Sequence, residues 1–231
     1  MKKKAEKLKT GAVITAAGAS RRMNGTDKVF ALISGRPVLS RAIDVFEQCP
    51  DVDAIVVVLS PGNLKKGKKL VASESWKKVA DVCAGGERRQ DSVLAGLEKL
   101  KDCDRVIIHD GARPLVTAEL IAAGLEAAEE TGAAVAAVPV TDTIKVTGDD
   151  MIIEGTPPRV NLWAAQTPQV FRYDLIVRAY REMESDVTDD AAAVERLGGV
   201  VKVYLSSRDN IKITTPQDLR IAEILLRDRE S

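Results

Sequence analysis

The chain has 231 residues, of which 45% are hydrophobic, 29% are charged and 3% are aromatic, and its 34 Lys+Arg balance 34 Asp+Glu. Zero net charge argues against a general nucleic-acid binder, and no run reaches the roughly 18 apolar residues of a membrane span. Three separated cysteines (Cys49, Cys83, Cys103) and one histidine (His109) give neither a disulfide framework nor a zinc spacing, so a reducing, cytoplasmic setting is expected.

Residues 1–10 carry Lys2, Lys3, Lys4, Lys7 and Lys9 against Glu6 and read as a disordered basic tail. No apolar stretch of a secretory signal follows them. From residue 11 to 231 a single domain is expected. Apolar runs predict strands at Ala12–Ala16, Ala54–Leu59, Lys78–Cys83, Arg105–His109 and Ala134–Val138. Between them, Val38, Leu39, Ala42, Ile43 and Phe46 share one helical face, as do Val93, Leu94, Leu97 and Leu100. With so few aromatics the core must rest on Val, Ile, Leu and Ala, which suits buried parallel strands.

Residues 140–160 break the alternation. They read as two short strands around Gly148-Asp149-Asp150, followed by a Pro-Pro turn. Such a hairpin either extends the sheet edge or projects as an arm onto a second subunit. Beyond it the pattern predicts helices near Tyr173–Glu184 and Asp189–Leu197, a strand at Val200–Leu205, and a last helix from about Pro216 to Leu226. The expected fold is α/β: a Rossmann-like, mostly parallel sheet flanked by helices, with a β-arm. Ligands of such sheets bind beyond the carboxyl ends of the strands.

The polar motifs fall at those ends. "AAGASRR" follows the first strand directly. Small side chains at Ala16, Ala17, Gly18 and Ala19 let the backbone approach a ligand, and successive N–H groups can cradle an anion. Arg21, Arg22 and Lys28 add positive charge suited to phosphate. The spacing matches neither GxxxxGK[ST] nor GxGxxG. "GGERRQDSV" (85–93) exposes backbone at Gly85 and Gly86 at the start of a helix, which Asp91 or Ser92 can cap. "HDGARP" (109–114) puts Asp110 just after a buried strand, where a carboxylate can hold Mg²⁺ with phosphate oxygens. His109 reads as a packed residue rather than an acid or base.

"AAGASRRMNGTDK" resembles the signature loop of nucleotidyltransferases that activate sugars, polyols and cofactors (the nucleotide-diphospho-sugar transferase fold). Six later stretches, "GGERRQDSV", "HDGARP", "VTDTIK" (140–145), "AAQTPQVF" (164–171), "TDDAA" (188–192) and "DNIKITTPQDL" (209–219), follow in the order found in the 2-C-methyl-D-erythritol 4-phosphate cytidylyltransferases. The resemblance runs from about Ala12 to Leu226. It implies transfer of CMP from CTP to a polyol phosphate, with Mg²⁺ or another divalent cation, in isoprenoid biosynthesis. By the same resemblance Arg22, Lys28 and Lys212 are catalytic. Ala16, Ala17, Gly18, Gly86, Glu87, Ser92 and Asp110 bind CTP, with Asp110 also the metal ligand. Thr143, Arg159, Thr167, Arg113 and Asp189 bind the acceptor, Thr143 and Arg159 coming from the arm of a partner subunit in a homodimer.

Two departures are visible. Glu87 stands where the family has Asp. In "DKVF", Asp27 replaces a proline and Val29 a glutamine, so the approach to Lys28 lacks the proline's rigidity. The rival readings are a ribitol-5-phosphate cytidylyltransferase, a nucleotidyltransferase of molybdenum cofactor assembly, a non-catalytic nucleotide binder and, from another class, a nicotinamide-dependent oxidoreductase. The last lacks the GxGxxG that its cofactor needs.

Overall fold

The computed structural model describes residues 8–18, 27–183 and 186–230. β1 (Thr10–Ala16) begins two residues before the apolar run, because the Thr10 N–H donates to Asp53 Oδ2 at 2.8 Å and the residue is buried. A short 3-10 turn (Lys28–Phe30) and a small ribbon of β2 (Leu32–Ile33) and β3 (Arg36–Pro37) lead into α1 (Val38–Gln48). Then come β4 (Ala54–Leu59), a turn at Pro61–Asn63, α2 (Leu64–Ser73), β5 (Val79–Ala84), α3 (Arg89–Leu97), β6 (Arg105–Asp110) and α4 (Ala118–Thr131). β7 (Ala133–Pro139) runs into the arm, which holds β8 (Val146–Thr147) and β9 (Ile153–Gly155). A turn at Arg159–Asn161 precedes β10 (Trp163–Arg172), α5 (Tyr173–Arg181), α6 (Asp190–Arg196), β11 (Lys202–Leu205) and α7 (Pro216–Glu230).

The main sheet has seven strands in the order β11-β7-β10-β6-β1-β4-β5. All pairs are parallel except those of β10, which runs antiparallel to both β6 and β7. The strand pattern did not reveal β10. Its stretch "AAQTPQVF" is interrupted by Gln166, Thr167 and Pro168, residues that read as loop. In the sheet that interruption is an irregularity in pairing with β7 between Ala165 and Gln169, and the Thr167–Pro168 peptide is cis. The arm strands form their own two-stranded sheet, Val146 pairing with Gly155 and Thr147 with Ile153, rather than extending the main one.

Alternation along the central strands sends side chains to two cores. Ala12 and Ile14 of β1, Ile55 and Val57 of β4 and Ile107 of β6 meet α1 and α4 through Leu39, Ile43, Phe46 and Ile121. Val13, Val56, Val58, Val106 and Ile108 face α3, α5 and α6 through Val93, Leu97, Ile176 and Val194. Each such side chain contributes about 1.5–3 kcal/mol on burial. α7 packs separately on Ile33, Val38, Leu115 and Ile213. α4 is bounded by Thr117, whose side chain accepts from the Leu120 N–H, and by Gly132 at φ 78°, a left-handed cap that glycine adopts without Cβ strain.

From β1 the chain moves outward to β4 and β5, then crosses back to β6 on the other side of β1. The crevice beyond the ends of β1 and β6 is therefore the topological switch point, where open α/β sheets place ligands. No helix among the described residues is long and apolar enough to cross a membrane.

Candidate active site

At the switch point the loop after β1 forms one wall of a cleft of about 270 Å³, lined by Ala16, Ala17, Gly18, Lys28, Gly86, Glu87, Arg88, Arg89, Ser92, Asp110 and Lys212 among others. The opposing wall is the turn between β5 and α3. A Cβ on Gly85 would lie 2.4 Å from Ser92 Oγ and 2.7 Å from Ala17 Cβ, so only glycine lets the two loops approach this closely. The start of α3 is capped by Asp91, whose Oδ2 accepts from the Arg88 N–H at 3.2 Å. The Ser92 hydroxyl donates back to the Arg88 carbonyl at 3.2 Å. Capping thus falls to Asp91, while Ser92 lines the cleft.

Asp110 ends β6, paired with Thr15 of β1, and is 8% exposed. Three cations surround its carboxylate: Lys212 Nζ at 2.8 Å, Arg113 Nε at 3.5 Å and Arg89 Nη2 at 4.0 Å. Burial works to raise its pKa, but Lys212, Arg89 and Arg113 together outweigh that and hold it well below the usual carboxylate range. Lys212 arrives through backbone pairing, since the Ile213 N–H donates to the Ala112 carbonyl at 2.8 Å and lays "NIKIT" beside "DGAR". The same strap fixes Arg113, which donates from Nη1 to the Asn210 carbonyl at 2.6 Å, while Asn210 Nδ2 donates to the Thr167 carbonyl at 2.8 Å.

A second cleft, of about 330 Å³, opens beside the first and is lined by Arg113, Gln166, Thr167, Gln169, Thr188 and Asp189 with Arg89, Asp110 and Lys212. The two clefts share those last three residues. The break in β10 turns Thr167 into this cleft's wall, in keeping with irregularities that re-aim side chains beside sites. Asp189 caps α6 through the Ala192 N–H at 2.9 Å and accepts from Gln169 Nε2 at 2.9 Å. Arg89 is anchored from behind by Asp190, which is fully buried and also accepts from the Tyr180 hydroxyl. Burial works against the charge of Arg89, yet Asp190 and Asp110 leave its guanidinium firmly protonated.

His109 is fully buried behind Asp110. The Asp110 N–H donates to Thr167 Oγ1 at 3.0 Å, Thr167 Oγ1 lies 3.1 Å from His109 Nδ1, and His109 Nε2 lies 3.1 Å from the Arg113 carbonyl. A carbonyl can only accept, so Nε2 carries the proton and Nδ1 accepts from Thr167. Burial lowers the imidazole pKa to about 4, which keeps the ring neutral. The histidine is packed and hydrogen-bonded, and reaches neither cleft.

Of the expected site residues, Ala16, Ala17, Gly18, Lys28, Gly86, Glu87, Ser92, Asp110 and Lys212 line the first cleft, and Thr167, Arg113 and Asp189 line the second. Arg22 lies outside the described residues. Thr143 and Arg159 are exposed on the arm, where Arg159 donates to the Thr141 carbonyl, and they line neither cleft. Sequence reasoning missed Arg89, Gln166 and Gln169. Arg89 stands inside the quoted "GGERRQDSV", but nothing local separates it from its neighbour Arg88, and its partner Asp190 is 101 residues away.

Residues 10–228 match the model of the 2-C-methyl-D-erythritol 4-phosphate cytidylyltransferase family. A protein of that name from Dehalococcoides mccartyi is 54% identical over 219 residues, covering 95% of this chain and 96% of its own length. Another from Alkaliphilus oremlandii is 44% identical, covering 96% of each chain. Among solved structures, 4-diphosphocytidyl-2C-methyl-D-erythritol synthase from Anaerococcus prevotii superposes with a TM-score of 0.85 at 30% identity, covering 95% of this chain and 96% of that one. The 2-C-methyl-D-erythritol 4-phosphate cytidylyltransferase of Thermus thermophilus does so at 0.73 and 33%, covering 93% and 98%. The chain therefore belongs to the 2-C-methyl-D-erythritol 4-phosphate cytidylyltransferase family.

Proposed function

We propose that this protein transfers CMP from CTP to 2-C-methyl-D-erythritol 4-phosphate and releases pyrophosphate, a step of the non-mevalonate route to isoprenoids. The observation that carries this reading is the pair of clefts that meet at Arg89, Asp110 and Lys212. CTP fills the first, the polyol phosphate fills the second, and phosphoryl chemistry takes place where they join.

An oxygen of the acceptor phosphate attacks the α-phosphorus of CTP in line. The new P–O bond forms as the bond to the bridging oxygen of the β-phosphate breaks, and pyrophosphate leaves with that electron pair. A phosphate monoester is already largely ionised at neutral pH, with its second pKa near 6, so no general base is required. Catalysis then rests on positioning and on charge stabilisation. Lys28 and Arg22 cover the triphosphate, while Lys212 serves both phosphates at the join. Gly86, Glu87 and Ser92 read the cytosine edge, whose amino donor sits beside ring acceptors. Thr167, Arg113 and Asp189 hold the polyol.

Among the described residues no cluster of three or more His, Cys, Asp or Glu is placed to hold a metal. Mg²⁺ needs fewer, since it commonly takes one or two carboxylates together with substrate phosphates and water. Asp110, kept ionised in the first cleft, fits that demand. Bound there, the ion would neutralise charge on the triphosphate. Thr143 and Arg159 reach the acceptor from a second copy of the chain. The arm supports this, because Met151, between β8 and β9, is 78% exposed and Val160, in the turn that follows the ribbon, is 83% exposed, and the ribbon has no core of its own. The functional protein is thus a homodimer whose sites are shared.

The test is pyrophosphate release with Mg²⁺ and each of CTP, GTP, ATP and UTP, supplied with methylerythritol phosphate or ribitol phosphate. Release with CTP and methylerythritol phosphate alone is expected. Release with ribitol phosphate would replace the acceptor and keep the mechanism. No release with any pair would overturn the reading.

A further inference from the structure

Lys28 opens the short 3-10 turn Lys28–Phe30, which is fastened at both ends by side chains. Asp27 is its N-cap. The Oδ1 atom accepts from the Val29 N–H at 3.2 Å, and the Asp27 carbonyl accepts from the N–H groups of Phe30 and Ala31, each at 3.1 Å. The other carboxylate oxygen accepts from Asn63 Nδ2. Asn63 belongs to a separate tight turn after β4, closed by its own N–H on the Ser60 carbonyl at 2.9 Å. One helical turn further on, Lys66 Nζ lies 4.1 Å from the centroid of the Phe30 ring. Between the two contacts Val29 is 1% exposed and packs into the core.

We infer that the Asp27–Asn63 pair is a latch that sets the position of Lys28 in the first cleft. Asp27 acts as a positioning residue there, and the inference rests on the reading of that cleft as the CTP site. A lysine is a point charge on a four-carbon stem, so its reach is set by where its backbone is held. Val29 anchors the turn on the far side of Lys28, and Asp27 anchors the near side, across to the adjacent strand's loop. Through both oxygens the carboxylate restricts the backbone on the N-terminal side of Lys28 and ties it to the turn after β4. Displacement of a catalytic group by about 1 Å can cost up to 10²-fold in rate, so a loosened turn is expected to act on turnover more than on stability.

The test compares the full-length wild type with Asp27→Ala, Asn63→Ala, the double variant and Asp27→Asn. It reads steady-state pyrophosphate release, thermal unfolding, and hydrogen exchange of the Val29, Phe30 and Ala31 amides. Each alanine variant is expected to lower kcat by roughly 5- to 30-fold, a fraction of that positional cost, with KM for the polyol phosphate unchanged and the unfolding midpoint barely moved. The double variant is expected to be no slower than the slower single one, since both remove the same contact. Asp27→Asn keeps an acceptor for the Val29 N–H and keeps the pair as well once the Asn63 amide turns its Oδ1 towards the new Nδ2 donor, so it is expected to recover most of the rate. Multiplicative losses, or a lower unfolding midpoint with kcat intact, would overturn the latch. If the wild type itself released no pyrophosphate, the function would fail first. The latch would still be decided by hydrogen exchange, with faster exchange of the three amides in Asp27→Ala supporting it and unchanged exchange overturning it.

Discussion

The floor of the clefts and the arm are built in opposite ways. Around the buried Asp110 three oppositely charged groups lie within 4.0 Å, Arg89 held by the buried Asp190 and Arg113 and Lys212 by the strap that runs beside residues 110–113. On the arm the ladder is two pairs long, and Ile144, Val146, Met151, Ile152, Ile153 and Val160 are exposed. A preorganised floor can stabilise charge without rearrangement, because the cost of holding like charges together was met during folding. On the arm, Thr143 and Arg159 are exposed and Arg159 is held by a local hydrogen bond to the Thr141 carbonyl, with no buried core beneath them. The proposed homodimer would bring the exposed arm of one chain to the buried floor of the other.

The sharpest way to break that contrast is at the floor. Lys28→Ala is expected to lower kcat by roughly 10² or more, by analogy with the loss of one oxyanion donor. Pyrophosphate release measures it, and a loss below about tenfold would remove Lys28 from the phosphate contacts. Arg159→Ala, on the arm, is expected to act chiefly by raising KM for the polyol phosphate. Co-expressing the two variants sharpens the contrast. In a dimer with two-fold symmetry, random pairing gives mixed dimers in which one site is doubly altered and the other unaltered, so about a quarter of wild-type activity should return. If each arm served its own chain, the mixture would show only the average of the two variants. Changing Met151 and Ile152 together to serine is expected to weaken self-association by at least tenfold, read by sedimentation, because each buried apolar side chain contributes about 1.5–3 kcal/mol.

The smallest effect is that of pH on His109. Its folded pKa, about 4, lies below the unfolded value near 6.5. The unfolded chain therefore takes up this proton first. Stability from this residue is fully present above about pH 6.5 and is lost as pH falls towards 4. As the chain has one histidine, a single imidazole NMR signal should keep the neutral Nε2–H form down to about pH 5. A signal titrating near 6.5 would contradict the buried hydrogen bonds, and His109→Gln should flatten the unfolding midpoint over the same pH range.

Apolar runs and helical period were enough to locate most of the sheet, because β1, β4, β6 and β7 carry apolar side chains on both faces and the pattern is local. β10 escaped because its polar break at Gln166–Pro168 makes sense only as the wall of a cleft. Most of the first cleft was legible for the same reason, since small or charged residues directly follow strands. The role of Arg89 was not, because it depends on Asp190, and that pairing is made by the packing of α3 and α6 on one face of the sheet rather than by spacing in the chain.

By itself the sequence determined the α/β class, the loop after β1 and the residues that carry charge to the strand ends, since these follow from short-range periodicity and side-chain chemistry. Tertiary structure alone decided that β10 inserts antiparallel between β6 and β7, that Lys212 meets Asp110 through the Ile213–Ala112 backbone pairing, and that Asp27 finds Asn63. Each of those contacts joins segments whose separation along the chain says nothing about their distance in space. What brings them together is the burial of the two faces of one sheet.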